Sequence, residues 1–333
     1  MMQKRYKKFP VPALAFRVAF LVAFLVLTSS LLAAPPAFAA SENQPGQGQA
    51  IVTVLTDKNA PAPNISQQQL NVKVDGKNSQ VTRWQQLGPN SPVELVILID
   101  GAARTSLGTQ TGDIQHFVQT LPPNVSTTIA YMENGRAALT GPLTTDRAQT
   151  LNGLHITGGI PGVSASPYFC LSDLAQHWPS SNRRARHEVV MVTDGVDYYD
   201  GVRHYDPEDP YLQAAITDSV RSQLIVYSIY WRNIGRVDRS MAADDSGQNL
   251  LAQLTQATGG NNYWEGYGNP VSFQPYFEDI DRRLSNQYEL GFMAPSSGKP
   301  QVESFKLKTD VHGAKIDAPQ QVLVVGSEMA NAQ

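Results

Sequence analysis

Apolar and polar positions along the chain change their period twice. Between residues 51 and 90, the runs IVTVLTD and NVKVDGKNSQVTRW alternate apolar and polar side chains, and the Asp-Gly pair in the second run is typical of a β-hairpin. Residues 91–286 instead combine continuous apolar runs with helical periods. Residues 287–326 return to strand-like runs in NQYELGFMAP, VESFKLKTD and QQVLVV. This order predicts an α/β domain between two β segments.

Four runs in the middle of the chain are apolar enough to be buried strands: VELVILID, TTIAYME, HEVVMVTDG and QLIVYSIYW. The segments DIQHFVQTL and NLLAQLTQATGG repeat apolar residues at helical spacing. Strands buried on both faces are typical of a mostly parallel sheet covered by helices. We therefore predict a doubly wound, mostly parallel α/β domain over residues 91–286. Residues 51–90 and 287–326 are predicted to pair as a small antiparallel β module, and residues 327–333 to form a tail.

The N-terminus has the order of a secretory signal peptide. Four basic residues lie among the first eight, the apolar run VAFLVAFLVL follows, and AFAA resembles a cleavage site near Ala39. A retained membrane anchor is the alternative, because the apolar stretch approaches the length of a membrane span. We predict that residues 1–39 are removed, which gives a secreted or periplasmic protein with no membrane span. Residues 40–50, rich in Gln, Gly and Pro, are predicted to be a linker.

Charge and cysteine content narrow the range of partners. The 333 residues carry a net charge of −3 and show no basic stripe, which excludes nucleic acid as the main partner. Cys170 is the only cysteine, so an internal disulfide cannot stabilise the protein, and its apolar neighbours predict a buried position on a helix. The sequence leaves the oligomeric state open.

Two acidic residues directly follow predicted strands. Asp100 ends VELVILID, and Asp194 follows VVMVT. Ligands of open α/β sheets bind beyond the carboxyl ends of the strands, so these two side chains mark the candidate site. Two carboxylates at one edge repel each other unless a cation or a guanidinium neutralises them. We therefore expect a positive group near both acids.

The runs LVILIDGAARTS and VVMVTDGVD resemble the von Willebrand factor A domain, in which one apolar strand ends in a D-x-S-x-S loop and a later one ends in T-D-G. The order of helices and strands between residues 93 and 286 is similar as well. Two further stretches, LTQATGG and FEDIDRRLSNQYELGF, resemble a bacterial group of secreted proteins whose A domain is flanked by β segments. This second resemblance covers nearly all of the chain after the signal peptide.

The resemblance implies a metal site that accepts a carboxylate from a partner protein. In the family, two Asp, two Ser hydroxyls and a Thr from a second loop hold a divalent cation, usually Mg²⁺, and oxygen ligands of this kind suit a hard cation. Asp100 and Asp194 match the two acids, and Ser164 or Ser166 in GGIPGVSASPY is a candidate for the Thr. The two Ser positions are occupied by Ala102 and Arg104.

Three arrangements of this altered site remain open. The guanidinium of Arg104 could fork between Asp100 and Asp194 and take the place of the cation. Alternatively, Arg104 points into solvent and the acids are hydrated. In the third arrangement, Thr105 or Ser106 folds back and supplies hydroxyls to a weak Mg²⁺ or Ca²⁺ site.

The stretch DGVDYYDGVRHYDPEDPY interleaves acids and tyrosines. It lacks the D-x-[DN]-x-[DN]-G spacing of a calcium loop, so a solvated loop is the alternative to a binding surface. Tyrosines offer rigid contact area to a protein partner, which favours a binding surface. The full set of predicted binding residues is Asp100, Arg104, Ser164, Ser166, Asp194, Asp197, Tyr198 and Tyr199.

Enzymatic motifs are missing from the sequence. It contains no G-x-x-x-x-G-K-[ST] phosphate loop, no G-x-S-x-G elbow and no H-E-x-x-H pair. We predict an exported, non-catalytic module without a cofactor, which recognises a protein or cell-surface ligand at the carboxyl edge of the sheet. A metal-dependent adhesion module with a rescued Mg²⁺ or Ca²⁺ site and an uncharacterised secreted hydrolase are the alternatives.

Overall fold

The computed structural model describes residues 44–56, 63–160, 162–199, 209–233 and 241–326. These residues form a six-stranded α/β sheet from the middle of the chain and an antiparallel barrel from its two ends. The predicted signal peptide, residues 1–39, and the predicted tail, residues 327–333, lie outside the described residues. Within the described ranges, no helix is long and apolar enough to cross a membrane.

The strands of the α/β sheet are β4 (Val93–Asp100), β5 (Val125–Glu133), β6 (Arg136–Leu139), β7 (Arg186–Thr193), β8 (Leu224–Tyr230) and β9 (Asn262–Tyr263). They lie in the order β6-β5-β4-β7-β8-β9. Neighbours run parallel except β5 and β6, whose tight turn places Asn134 and Gly135 at positive φ. Every residue of β4 and β8 is buried, as continuous apolar runs predict for strands covered on both faces.

Helices cover both faces of this sheet. They are α1 (Thr111–Thr120), α2 (Arg147–Leu151), α3 (Pro167–Gln176), α4 (Pro210–Arg221), α5 (Met241–Thr258) and α6 (Gln274–Leu284), and 3₁₀ turns span Gln67–Gln69 and Thr105–Gln110. On one face α1 meets α6, where the rings of Phe117 and Phe277 stack 4.3 Å apart. On the other face, α3, α4 and α5 bury leucines that each contribute roughly 2 kcal/mol. Cys170 lies in this second core, as predicted, and burial raises the pKa of its thiol.

The two β segments close into a barrel. Its strands are β1 (Gln44–Thr56), β2 (Leu70–Val74), β3 (Lys77–Gln86), β10 (Gln287–Ser296), β11 (Gln301–Thr309), β12 (Ala314–Asp317) and β13 (Gln321–Gly326). They follow the order β10-β3-β2-β11-β13-β1, and β1 pairs again with β10, while β12 pairs with β1. Leu290, Phe292 and Phe305 fill the interior. The predicted mixed α/β fold is confirmed. The predicted small β module closes into an antiparallel barrel through the pairing of β1 with β10. Closure of this kind avoids the exposed edge strands of an open sheet.

The prediction of a linker over residues 40–50 is wrong from Gln44 onwards. There β1 begins, and Gly46 and Gly48 pair with β10. A Cβ atom on Gly48 would lie 2.4 Å from the ring of Phe292, and one on Gly46 would lie 2.6 Å from its nearest neighbour. Only glycine lets the strand approach β10 so closely. The composition that indicates a linker here belongs to a tightly packed strand.

Candidate functional site

The strands β4 and β7 lie side by side and run in the same direction. Their register pairs Ile99 with Val192. Asp100 therefore stands beside Thr193 at the carboxyl edge of the sheet, and Asp194 follows. The structure thus brings the two predicted acids to one edge. Both are almost completely buried, with 2% of Asp100 and 1% of Asp194 exposed.

The carboxylate of Asp100 accepts hydrogen bonds that hold the turn after β4. Its Oδ1 accepts from the backbone N–H of Ala102 at 2.8 Å, and its Oδ2 accepts from Thr193 Oγ1 at 3.0 Å. The backbone carbonyl of Asp100 also accepts from the N–H of Ala103 at 2.9 Å. Such charge-assisted bonds offset the cost of burying a carboxylate.

Asp194 is held in the same way, and one of its partners is Asn233. Its Oδ1 accepts from the N–H of Val196 at 3.0 Å, and its Oδ2 accepts from Asn233 Nδ2 at 2.7 Å. Asn233 follows β8 and is completely buried. Its Oδ1 accepts from the backbone N–H of Arg104 at 3.2 Å. One side-chain amide thereby joins the loop after β7 to the loop after β4.

The predicted fork of Arg104 between the two acids is not formed. Arg104 is exposed, and its guanidinium makes no ion pair with any described residue. Asn233, Thr193 and backbone N–H groups already donate to the carboxylates, and burying a guanidinium beside them would cost its hydration. Among the described residues, Thr105 and Ser106 are also exposed and bond to neither acid, so the predicted return of their hydroxyls is not seen.

The serine loop reaches this edge through Asp197. Ser166 Oγ donates to Asp197 Oδ2 at 2.6 Å and accepts from the N–H of Tyr168 at 3.2 Å, which caps α3. The Tyr168 hydroxyl donates to the carbonyl of Gly195 at 2.7 Å, and burial, aided by nearby carboxylates, raises its pKa well above the usual value. Ser164 is buried, and its carbonyl accepts from the turn between β5 and β6 at 3.1 Å. These contacts fix the loop before α3 against the loop after β7.

Tyr199 brings the loop after β7 to the surface. It is 58% exposed, and its N–H donates to Asp197 Oδ1 at 2.7 Å. Its ring meets the ring of Phe169 edge-on, with 4.8 Å between the centroids. Tyr198 is half-buried beside it. Residues 200–208 of the predicted loop lie outside the described residues, whereas Asp209 caps α4 by accepting from the N–H groups of Tyr211 and Leu212.

A second exposed loop is fixed against the turn after β4. Thr157 is buried, and its Oγ1 donates to the carbonyl of Ala103 at 2.6 Å. Gly159 has a positive φ, and a Cβ there would lie 3.2 Å from the backbone of that turn. Beside these fixed points, Ile156 and Ile160 are 58% and 62% exposed. The backbone is held in place while two large apolar side chains face solvent.

The donors at this edge do not fit the cation site that the family resemblance implies. Ala102 is buried and has no side-chain oxygen, and Arg104 is itself a cation. All four carboxylate oxygens of Asp100 and Asp194 accept hydrogen bonds from N–H or O–H donors. A divalent cation needs several such oxygens as ligands. Among the described residues, no group of three or more His, Cys, Asp or Glu side chains is placed to hold a metal ion.

Three polar residues of this edge are absent from the sequence-based prediction: Thr157, Thr193 and Asn233. Asn233 had a usable signal, because it follows the buried strand QLIVYSIYW and so lies at the same carboxyl edge as the acids. Thr193 had a similar signal, as the residue between an apolar strand and Asp194. Thr157 had none, since its role depends on how a distant loop folds against β4.

Comparisons with known proteins bear on the fold alone. No family model and no curated protein matches the chain. Among solved structures, an aerotolerance-related membrane protein from Bacteroides fragilis, with multiple mutations to serine, matches 58% of this chain and 98% of its own at 13% identity and a TM-score of 0.38. The SpRpn10 VWA domain matches 57% and 93% at 12% identity and a TM-score of 0.36. The pilus adhesin SpaC from Lactobacillus rhamnosus GG, in an open conformation, matches 81% and 48% at 8% identity and a TM-score of 0.41.

The α/β domain of this chain has the von Willebrand factor A-like arrangement of strands and turns that the sequence resemblance predicts. The geometry of the chain itself carries this conclusion. The strands β5, β4, β7 and β8 are parallel neighbours, and the D-G and T-D-G turns stand at the adjacent ends of β4 and β7. The activities and partners of the similar structures are not transferred, because their identities are 15% or less.

Proposed function

We propose that the chain is an exported, non-catalytic protein-binding or adhesion module that recognises a protein or surface ligand at the carboxyl edge of the α/β sheet, without a fully formed metal site. The observation that carries this proposal is exposed apolar surface at that edge. It lies on loops whose backbone is held in place by hydrogen bonds. Ile156, Ile160 and Tyr199 are each more than half exposed. Large apolar and aromatic side chains exposed on a rigid support are typical of protein interfaces.

The buried acids have a supporting role in this proposal. Asp100 and Asp194 are buried and accept hydrogen bonds, so they position the loops and a partner contacts the loops themselves. Arg104, in the loop after β4, adds an exposed positive charge, which favours a partner with an acidic rim. The proposed export rests on the signal-like order of residues 1–39.

Binding of the purified protein to immobilised cell-envelope protein of its source organism, followed by biolayer interferometry, tests the proposal. Replacing Ile156 and Ile160 together by Ser should weaken binding roughly tenfold or more, because a few buried apolar side chains dominate interface energies. Leu139→Ser makes a matched change at a 40% exposed leucine on the edge strand β6 and should leave binding unchanged. Equal binding by wild type and the Ile156/Ile160 variant would show that the interface lies elsewhere.

Two further measurements separate the alternatives. Excess EDTA should leave binding unchanged, because hydrogen bonds already hold the loops. Loss of binding in EDTA would favour a metal-dependent adhesion module. Turnover of ester, peptide or glycoside substrates that disappears in Asp100→Ala and Asp194→Ala would favour a secreted hydrolase, and we expect no such turnover.

A further inference from the structure

A cleft lies at the end of the α/β sheet opposite to the buried acids, where the sheet meets the barrel. The strands β7 and β8 begin at Arg186 and Leu224, and both of these residues line the cleft. Barrel residues such as Ile51 and Glu289 form the facing wall. The volume of the cleft is about 530 Å³, which lies within the range of small-molecule sites.

Positive charge dominates this cleft. Arg83, Arg183, Arg184 and Arg186 line it, and Glu289 is the single acid among its described lining residues. An ion pair of 3.1 Å between Arg83 Nη2 and Glu289 Oε2 neutralises that acid. The lining therefore has a surplus of three positive charges, although the whole chain has a net charge of −3. A concave surface of one charge sign concentrates ligands of the opposite sign.

Arg186 is the buried member of this set, with 8% of its surface exposed. Its Nη1 donates to the carbonyl of Leu284 at 3.0 Å and to the side chain of Gln287, but its Nε has no hydrogen-bond partner among the described residues. Its charge is offset in part by Glu188, a carboxyl whose pKa burial raises to about 7. An oxyanion bound nearby would offset the remaining charge of this guanidinium.

Neutral side chains complete the lining. Gln49 of the barrel donates to Gln223 of the α/β domain at 2.9 Å and joins the two walls. Burial lowers the pKa of His187, which keeps its imidazole neutral at pH 7 and adds hydrogen-bonding capacity without charge. Leu87 and Ile51, both partly exposed, add apolar surface. The combination suits a carbon skeleton that carries anionic groups.

We propose that this cleft binds a small organic anion with carboxylate or phosphate groups. A guanidinium donates two parallel hydrogen bonds to either kind of oxyanion, and Arg183 and Arg184 present two of these groups at the exposed mouth of the cleft. Apolar residues of both walls pack against the body of the ligand. This site is separate from the carboxyl edge and does not depend on the function proposed for it.

Isothermal titration calorimetry with citrate and with pyrophosphate tests the cleft in the purified protein. Wild type should bind at least one of them saturably, with a Kd of about 1 mM or tighter. The double variant Arg183→Gln/Arg184→Gln should weaken that binding at least tenfold, or about 1.4 kcal/mol. Both arginines are exposed, so the thermal midpoint of this variant should match that of wild type.

The double variant Lys306→Gln/Lys308→Gln is the matched control. It removes the same charge from two exposed positions on β11 that do not line the cleft, and it should bind like wild type. Stronger binding of citrate would identify a carboxylate site, and stronger binding of pyrophosphate a phosphate site. Any one of three results would overturn the proposal. Neither anion binds saturably, both double variants lose the same affinity, or the Arg183→Gln/Arg184→Gln variant binds like wild type.

Discussion

Substitution of Glu188 by Gln tests the buried polar group at the base of β7. Glu188 is completely buried, and its Oε1 accepts from Gln287 Nε2 at 2.8 Å. Burial raises the pKa of Glu188 from its ordinary value of 4.5 to about 7, against the opposing effects of the Arg186 charge and the Gln287 hydrogen bond. The folded protein therefore holds a proton on Glu188 more tightly than the unfolded chain does.

The pKa difference gives both the sign and the size of the effect. The contribution of Glu188 to stability is fully present below about pH 4.5 and is lost as the pH rises to about 7. At about 1.36 kcal/mol for each pH unit, the loss amounts to roughly 3 kcal/mol. Glutamine is neutral throughout this range and keeps a carbonyl acceptor for Gln287, so the variant should not show this loss.

Urea unfolding followed by circular dichroism at about pH 5 and about pH 8 measures the difference. Between these two conditions, wild type should lose roughly 2–3 kcal/mol more unfolding free energy than Glu188→Gln. Glu133→Gln makes the same chemical change at an exposed position and should follow wild type. Parallel pH dependences of wild type and Glu188→Gln would refute the reasoning.

The loop contacts, the barrel packing and the cation dependence can be tested in the same way. Asn233→Ala removes the amide that joins the loops after β4 and β7, and the unfolding free energy in urea should fall by about 2 kcal/mol. Gly48→Ala places a Cβ 2.4 Å from the ring of Phe292 and should cost roughly 1–3 kcal/mol by the same assay, whereas Gly88→Ala, with open space around it, should change little. Mg²⁺ should leave the thermal midpoints of wild type and Arg104→Ser unchanged, because the carboxylates already accept hydrogen bonds, and a rise in either midpoint would contradict this expectation.

The buried strands of the α/β sheet are predictable because burial on both faces leaves a local trace in the sequence. The strands β4 and β8 are apolar along their length and buried at every residue. Closure of the barrel leaves no such trace, since Thr53 of β1 pairs with Gln287 of β10 across most of the chain. Nothing local distinguishes Gly46 and Gly48 from glycines of a flexible linker. Their packing against β10 appears only when the distant strand is in place.

The acids of the candidate site are predictable, whereas their partners are not. Asp100 and Asp194 follow parallel strands, so strand direction alone brings them to one edge. The donor that meets each carboxylate depends on loops from other parts of the chain. Arg104 is the cation closest to Asp100 in sequence, but a buried guanidinium loses more hydration than an amide or a hydroxyl does. Asn233 and Thr193 therefore fill positions that a charge-based argument assigns to arginine.

Under the proposed function, the hydrogen bonds that hold the buried acids change what this edge can recognise. The family resemblance implies an open metal position that accepts a carboxylate, so that charge selects the partner. Here the acids are buried, and under the proposed function selection passes to the exposed residues of the loops they hold, above all Ile156, Ile160 and Tyr199. Apolar contacts depend little on ionic strength, whereas an arginine-lined cleft binds its ligand through charges that salt screens. Raising the salt concentration should therefore weaken anion binding in the cleft while binding at the carboxyl edge persists.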